Sequence, residues 1–123
     1  VNLRDYLGKL VLINFCATWC KPCKDEMQSL DKLYQDEDFK NLYIFAVNME
    51  KPNVEKVKNF FFDLRIKKLS IFFDKNFNFV KEFKLRGLPT TVLINKSGKE
   101  FARINGAVDF SDEKFMKWLA KYE

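Results

Sequence analysis

The stretch Leu10-Val-Leu-Ile-Asn-Phe-Cys-Ala-Thr-Trp-Cys-Lys-Pro-Cys23 decides how this chain is organised. It opens with an apolar run, Leu10–Phe15, that is rich in branched side chains, as a strand buried on both faces requires. A short turn follows, and Pro22 suits the first turn of a helix, where its missing N–H costs nothing. The stretch therefore predicts a strand, a turn, and a helix that begins around Cys20.

Two cysteines at the start of a helix have a defined chemistry. The unpaired N–H groups and the dipole of the helix N-terminus favour a thiolate, so we expect the pKa of Cys20 to be lowered. The neighbouring Lys21 adds a positive charge with the same effect. Two intervening residues allow Cys23 to reach Cys20 and to resolve a mixed disulfide. A Cys-x-x-Cys in this context predicts thiol–disulfide exchange, with Cys20 attacking and Cys23 resolving.

The remainder of the chain alternates between strand and helix patterns. The predicted elements are a first helix to about Asp36, a strand at Leu42–Val47, a helix capped by Asn53 and reaching Leu64, a short strand at Ser70–Phe73, one or two helical turns at Asn76–Phe83, a hairpin of Thr91–Asn95 and Phe101–Ile104 with Gly98 in its turn, and a final helix capped by Ser111. The side chains predicted to face the core from the later helices are Val54, Val57, Phe60, Phe61, Leu64, Phe115, Trp118, Leu119 and Tyr122. Strands joined through helices pair in parallel, whereas a hairpin adds antiparallel strands. We therefore predict an α/β fold, a central mixed sheet flanked by helices, with a short strand–helix insert before the hairpin.

Length and composition exclude several classes of protein. The 123 residues predict a single domain, 1–123. The net charge is +5, but the basic residues do not interleave with aromatic ones as a single-strand nucleic-acid surface requires, so a solvated face is expected. Three cysteines without a histidine cannot complete a four-ligand zinc site, and we expect no metal. The longest apolar run has the length of a strand, too short to span a bilayer.

Asn14-Phe-Cys-Ala-Thr-Trp-Cys-Lys-Pro-Cys23 resembles the active-site segment of thioredoxin-fold oxidoreductases, above all those of the TlpA/ResA type. Gly87-Leu-Pro-Thr-Thr-Val-Leu-Ile-Asn95 is similar to the second motif of that family, in which a cis-proline faces the Cys-x-x-Cys. Leu3–Lys9 resembles the family's lead-in, and the segment between Ile66 and Arg86 matches the extra strand and helix of this subfamily. The resemblance spans nearly the whole chain and implies a thioredoxin-like fold.

The resemblance also implies a cellular role. Members of this family reduce the disulfides of other proteins outside the cytoplasm, so it implies a reductase in the periplasm or on the outer face of the inner membrane. Apocytochromes c and copper-site assembly proteins are the implied clients, and a membrane thiol reductant recharges the domain. Neither a cofactor nor a second copy of the chain is expected. Because the hairpin that precedes Leu3 in relatives is absent, we expect it, with a signal or membrane anchor, in the full-length protein.

The same resemblance implies which residues contact a substrate. Pro89 is expected to form a cis peptide bond, and the backbone of Leu88 to offer strand-like hydrogen bonds. Trp19 is expected to shape the docking surface beside the nucleophile, although an aromatic there could simply cover the edge of the sheet. Lys21 and Pro22, between the two cysteines, are the other residues expected to contact the substrate.

Cys16 departs from the family's pattern, and Asn14 differs from thioredoxin itself. Cys16 stands where the family usually has tryptophan; we predict a buried, inert thiol, the alternative being a regulatory disulfide with one of the other cysteines. Asn14 stands where thioredoxin itself has a buried acid that helps to deprotonate the second cysteine. Glu50 is the candidate proton acceptor in its place, the alternative being an ordinary loop carboxylate. Glu26, one turn after Cys23, is expected to be a solvated helix residue.

Two other functions are open at this point. A disulfide oxidase or isomerase would use the same residues with the electrons flowing in the opposite direction or returning to the client. A module whose Cys-x-x-Cys holds copper or another metal would belong to a different class. The absence of histidine and the intact Pro89 loop favour the redox enzyme over the metal module.

Overall fold

The computed structural model describes residues 3–74 and 77–123. Within these ranges, a 3-10 turn at Leu3–Tyr6 precedes the strands and α-helices. The elements are β1 (Leu10–Cys16), α1 (Lys21–Gln35), β2 (Leu42–Asn48), α2 (Val54–Asp63), β3 (Ile71–Phe73), α3 (Asn78–Phe83), β4 (Thr90–Ile94), β5 (Glu100–Asn105) and α4 (Glu113–Ala120). The order of elements is the predicted one; the expected start of α3 at Asn76 lies outside the described residues. Within the same ranges, no helix combines the length and the apolarity needed to cross a membrane.

The strands form one mixed sheet in the order β3-β2-β1-β4-β5. β2 runs parallel to β1 and β3 parallel to β2, because helices connect them. β4 is antiparallel to β1, and β5 completes the hairpin with β4. Gly98 adopts a φ of +82° in the hairpin turn, a conformation that a glycine takes at little cost. The predicted mixed sheet, with helical crossovers and a closing hairpin, is confirmed.

Each face of the sheet carries its own apolar cluster. Leu10, Leu12 and Cys16 of β1 belong to the cluster that includes α1, which we call the α1 face. The intervening β1 side chains belong to the other cluster, which includes α3 and is called the α3 face. Because both faces are covered, all seven residues of β1 are buried.

A buried carboxylate fixes the segment that leads into β3. Asp31 of α1 is 3% exposed and accepts hydrogen bonds from the backbone N–H groups of Lys67, Lys68 and Leu69 at 2.8, 2.8 and 3.0 Å. Gln35 donates a fourth hydrogen bond at 2.9 Å. Several donors offset the cost of burying a charge, and here they anchor the loop after α2 to α1.

Three predictions about helix ends are wrong. Asp112 rather than Ser111 caps α4, because its carboxylate accepts from the backbone N–H of Phe115 at 3.1 Å, whereas the Ser111 hydroxyl donates to Asp109. Val54 is 52% exposed and Tyr122 is 38% exposed, so neither is a core residue. Val54 is the first residue of α2, and Tyr122 follows α4, where its ring stacks on Phe101 of β5 but stays partly open to solvent. The Asn53 cap of α2 is confirmed, since its side chain accepts from the backbone N–H of Lys56.

Candidate active site

Cys20 and Cys23 lie where the chain passes from β1 into α1. Cys20 is the N-cap of α1, and Pro22 occupies the first turn, as predicted. The backbone N–H of Cys23 donates a hydrogen bond to the Cys20 sulfur at 3.4 Å. Cys20 is 6% exposed, Cys23 is wholly buried, and neither is in a disulfide. The structure therefore represents the dithiol form, in which the Cys20 sulfur is the more accessible of the two.

Glu26 is buried next to the cysteines, with only 2% of its surface exposed. Its Oε1 accepts a hydrogen bond from Asn14 Nδ2 at 2.7 Å and lies 3.6 Å from Cys16 Sγ. Its Oε2 accepts from the backbone N–H of Val108 at 2.9 Å. Burial raises the pKa of Glu26 above its ordinary value, although the hydrogen bonds oppose this effect. The prediction that Glu26 is a solvated helix residue is therefore wrong.

The burial of Glu26 follows from helix geometry and from distant partners. Positions three and four apart share a helix face, so residue 26 lies beside Cys23 and the buried Met27 and Leu30. An acid at the margin of an apolar stripe is ordinarily solvated. Here its partners come from β1 and from the loop before α4, which no local pattern reveals. The signal available in the sequence was the spacing of three residues from Cys23, together with a polar Asn14 inside an apolar strand.

Asn14 connects the carboxylate to the sheet. It is wholly buried, and its Nδ2 donates to Thr91 Oγ1 at 3.2 Å as well as to Glu26. Its Oδ1 accepts from the Cys16 thiol at 2.9 Å. An amide cannot take up a proton, but this one orients both an acid and a thiol. Position 14 carries no acid here, but Glu26 of α1 places a carboxylate in the same region of the core.

Cys16 is a buried thiol, as predicted, with 5% of its surface exposed. Its Sγ lies 2.9 Å from Asn14 Oδ1 and 3.6 Å from Glu26 Oε1, and Cys23 belongs to the same buried cluster. Burial above all raises the pKa of Cys16 well above its ordinary value, so the sulfur keeps its proton. An apolar cavity of about 10 Å³ lies beside it, lined in part by Met27 and Val57.

The cysteines of the motif share their protons. Burial and a hydrogen bond to Cys23 raise the pKa of Cys20. Hydrogen bonds from Cys16 and from Cys20 lower the pKa of Cys23 to about 7. The prediction that the pKa of Cys20 is lowered is therefore wrong for the dithiol form, because the backbone N–H at its sulfur does not outweigh burial and the neighbouring sulfur. The raised pKa of Cys20 and the lowered pKa of Cys23 describe one coupled pair of thiols, in which the hydrogen bond between them favours the charge on Cys23.

Glu50, the predicted candidate for proton acceptor, is held within the loop after β2. Its carboxylate accepts from the backbone N–H of Thr18 at 2.5 Å, from Asn48 Nδ2 at 3.1 Å and from Lys56 Nζ at 2.7 Å. Although burial raises it, these hydrogen bonds lower the pKa of Glu50 to about 2. A carboxylate with so low a pKa stays ionised near neutral pH and accepts no proton. The geometry supports the alternative, a loop carboxylate, and shows that it ties the turn before Cys20 to α2.

Exposed side chains surround the accessible sulfur. Trp19 is 72% exposed, and Lys21 and Pro22 are exposed on the first turn of α1. The Lys21 ammonium pairs with Asp25 at 3.2 Å, so part of its positive charge is neutralised. The three residues predicted around Cys20 are therefore all available at the surface.

The second family motif, residues 87–95, begins at the same end of the sheet as Cys20. The Leu88–Pro89 peptide bond is cis, as predicted. The pairing of Phe15 with Thr90 places Pro89 beside the C-terminal end of β1, where the chain turns toward Cys20. Leu88 and Pro89 help to line a shallow depression. The sheet thus brings together two motifs that are far apart in the sequence.

The arrangement provides one reachable sulfur, one buried sulfur within contact of it, and a buried carboxylate. A reachable sulfur can enter a mixed disulfide, and the buried sulfur can displace the partner from it. Among residues 3–74 and 77–123, no group of three or more His, Cys, Asp or Glu side chains is arranged to hold a metal ion. The chemistry that the site offers is thiol–disulfide exchange.

Comparison with known proteins identifies the family. Residues 1–99 match the model of the AhpC/TSA family. The chain belongs to this family. The thiol-disulfide oxidoreductase ResA of Bacillus thuringiensis subsp. konkukian is 35% identical over 123 residues, which cover 98% of this chain and 68% of the relative. ResA of Halalkalibacterium halodurans is 34% identical over 121 residues, covering 97% of this chain and 67% of the relative.

Solved structures agree on the fold of this AhpC/TSA-family protein. The exposed lipoprotein thioredoxin Etrx1 of Streptococcus pneumoniae superposes with a TM-score of 0.79 at 24% identity, covering 97% of this chain and 88% of that one. The mixed sheet flanked by helices is thus thioredoxin-like. With its ResA relatives, the chain is a thiol–disulfide oxidoreductase of the thioredoxin family, an enzyme class that acts on proteins bearing disulfides.

Proposed function

We propose that this chain reduces disulfide bonds in other proteins, with Cys20 as the attacking sulfur and Cys23 as the resolving sulfur. The difference in accessibility carries the proposal. Cys20 keeps 6% of its surface exposed next to the exposed Trp19, whereas Cys23 is wholly buried and cannot meet a macromolecule first. Each thiol shifts the pKa of the other through a hydrogen bond, so a proton can pass between them and Cys20 can become the thiolate when a client approaches.

The first step forms a mixed disulfide. As a client disulfide approaches, Cys20 passes its proton to the Cys23 thiolate, and the Cys20 thiolate attacks one client sulfur. The client S–S bond breaks, and the other client sulfur leaves as a thiolate, which takes a proton from water. The second step forms the enzyme disulfide. Cys23 loses its proton and attacks the Cys20 sulfur, the Cys20–client bond breaks, and the second client thiolate leaves. Two electrons pass from the enzyme dithiol to the client.

Glu26 is the group best placed to take the proton from Cys23 in the second step. Its carboxylate is buried in the same cluster of side chains, and its raised pKa makes it a stronger base than a solvated carboxylate. Glu50 does not meet this requirement, because its pKa of about 2 makes it a weaker base than a solvated carboxylate. We therefore assign the role of proton acceptor to Glu26 and a positioning role in the active-site turn to Glu50.

The substrate is proposed to lie across Trp19, Lys21 and Pro22 on one side and Leu88 and Pro89 on the other. The exposed ring of Trp19 offers apolar contact beside the nucleophile, and the backbone of Leu88 faces the same end of the sheet. An extended segment of the client can pair with such an edge through its backbone.

The pKa of the nucleophile supports the proposed direction of electron flow. A strong oxidant such as DsbA has a nucleophile with a pKa of about 3.5, and this acidity stabilises its reduced form. Here burial raises the pKa of Cys20, the proposed nucleophile, above its ordinary value. The reduced form lacks the stabilisation that makes a strong oxidant, which favours a reductase.

The place of action is proposed to be outside the cytoplasm. One structural neighbour is named an exposed lipoprotein, and the ResA resemblance implies a membrane-anchored or exported domain. We propose that residues 1–123 act as a single monomeric domain, that a membrane thiol reductant recharges it, and that apocytochromes c or copper-site assembly proteins are among its clients.

Equilibration with glutathione buffers tests the direction. A reduction potential on the order of −250 mV or lower supports a reductase, and a value near −120 mV with rapid oxidation of a reduced unfolded protein would reverse the proposed direction. Insulin reduction tests the residues. Cys20→Ser should abolish it, and Cys23→Ser should accumulate mixed disulfides. Recovering those mixed disulfides from the source cell would identify the clients and show whether they are extracytoplasmic.

A further inference from the structure

In the resolving step, a proton must leave the buried sulfur of Cys23 and reach solvent. Cys23 is wholly buried, so water does not reach its sulfur directly. After the first step this sulfur carries the proton that came from Cys20, and it must lose it before it can attack. Cys16 and Cys23 lie in the same buried cluster on the α1 face, where Cys16 lowers the pKa of the Cys23 thiol. The Cys16 sulfur also lies 3.6 Å from Glu26 Oε1.

The route continues from Glu26 to the surface. Glu26 helps to line an open depression between α1 and the loop before α4, together with Ser29, Lys32 and Val108. Glu26 is 2% exposed and contacts the Cys16 thiol on one side, and it lies at the margin of this open depression on the other. A proton that reaches Glu26 can leave the protein there.

We propose that Cys16 relays the proton of Cys23 to Glu26 during the resolving step; the proposal rests on the function proposed above. The Cys16 sulfur accepts the proton of Cys23 as its own S–H passes to Glu26 Oε1. One S–H bond breaks and one forms at Cys16, which ends the step as the thiol it was at the start. Cys23 becomes the thiolate that attacks Cys20, and Glu26 becomes the carboxylic acid and releases the proton to solvent.

The chemistry of the thiol suits this role. A relay needs a group that both donates and accepts, which a thiol or a hydroxyl does and the donor-only indole of tryptophan does not. Asn14 Oδ1, 2.9 Å from the Cys16 sulfur, holds the side chain on the side of Glu26. The titratable groups that face Cys16 are Cys20, Cys23 and Glu26. Burial keeps Cys16 protonated, which makes it a carrier of protons and a poor nucleophile.

Two variants distinguish a proton relay through Cys16 from a role of Cys16 in packing alone. Cys16→Ser keeps a group that donates and accepts, whereas Cys16→Val keeps an apolar side chain and removes the proton; the cavity beside Cys16 leaves room for the added methyl. Each reduced protein is mixed with excess 5,5′-dithiobis(2-nitrobenzoate) in a stopped-flow instrument. The first thionitrobenzoate is released when Cys20 attacks, and the second when Cys23 resolves the mixed disulfide.

We expect the first phase to stay near that of wild type in Cys16→Ser and to slow by no more than about threefold in Cys16→Val, because the valine variant loses the Cys16 hydrogen bond that lowers the pKa of Cys23 but keeps Cys20 as the attacking sulfur. The second phase should slow about tenfold in Cys16→Val, because a positioned proton-transfer group contributes at least this much, and Cys16→Ser should restore it to within about threefold. The second phase of the wild type should also slow in D₂O more than the first.

A second phase in Cys16→Val as fast as in wild type would overturn the relay, and so would a Cys16→Ser protein as slow as the valine variant. Should Cys16→Val not fold, Cys16→Ala takes its place in the same comparison. A wild-type protein that lacks the first phase would instead overturn the proposed function, so the two failures are distinguishable.

Discussion

Replacement of Glu50 by glutamine tests how much the loop carboxylate stabilises the fold. The amide of Glu50→Gln keeps an oxygen for the Thr18 N–H but loses the charge that faces Lys56. The pKa of Glu50 falls from an ordinary 4.5 to about 2, which corresponds to about 3 kcal/mol of stability at neutral pH. Because the Lys56 side chain is 52% exposed, water screens the pair, and we expect Glu50→Gln to cost about 2 kcal/mol.

The sign of the pH dependence follows from the lowered pKa. Between pH 4.5 and 2 the unfolded chain binds a proton at Glu50 that the folded chain does not, so acid favours unfolding. The stabilisation is complete above pH 4.5 and is lost as the pH falls toward 2. The difference between wild type and Glu50→Gln should therefore be largest at pH 7 and shrink below pH 4.5.

Urea unfolding of both proteins at pH 7, 5, 4 and 2.5, under reducing conditions, measures this difference. Other carboxylates titrate equally in both proteins, so the difference isolates Glu50. Lys56→Met is the matched control, since it removes the partner but leaves the Thr18 and Asn48 hydrogen bonds and should cost less than Glu50→Gln. A difference that stays constant from pH 7 to 2.5, or that is absent at pH 7, would refute the reasoning.

Three further changes test the neighbouring groups. Burial raises the pKa of Glu26 and penalises its charged form, so wild type should lose stability as the pH rises above 4.5. Glu26→Gln should not show this loss, and parallel pH–stability curves for the two proteins would contradict the prediction. Trp19→Ala should slow insulin reduction about tenfold while the rate with hydroxyethyl disulfide and the urea midpoint change little, since the ring is 72% exposed; an equal loss with both substrates would argue against a docking role. Asp31→Asn should cost about 2–3 kcal/mol in urea unfolding, because an amide oxygen replaces the carboxylate that serves three backbone N–H groups; a loss below about 0.5 kcal/mol would show that the loop before β3 holds without it.

The sequence predicted the architecture well because local patterns specify it. The apolar run of β1, the proline in the first turn of α1 and the hairpin glycine each express a local requirement of strand, helix or turn. The cis bond before Pro89 followed from the family resemblance. The cap of α4 was misplaced by one residue because Ser111 and Asp112 are both good caps, and only the hydrogen bond to Phe115 distinguishes them.

The two glutamates were interpreted wrongly or incompletely for a different reason. Whether a carboxylate is a base depends on which groups surround it in three dimensions. Glu26 acquires partners from β1 and from Val108, and Glu50 acquires them from Thr18 and Lys56. A single sequence contains the spacing of these residues but not their contacts. The lowered pKa was likewise expected at Cys20 and found at Cys23, because the hydrogen bond from Cys16 is a contact across two elements.

The alternation of side chains along β1 has a consequence for how this protein can change. Asn14 and Cys16 lie on the α1 face with the reactive sulfurs, whereas Val11, Ile13 and Phe15 lie on the α3 face. The end of this strand nearest the active site therefore has a polar function on one face and an apolar one on the other. In a mutational library, Val11, Ile13 and Phe15 should accept other large apolar residues with turnover intact, whereas substitutions at Asn14 and Cys16 should yield proteins that fold but exchange disulfides slowly. Helix α3, which packs on the α3 face, can by the same reasoning be replaced, and a chimaera that carries a relative's α3 should acquire that relative's surface without acquiring its redox behaviour.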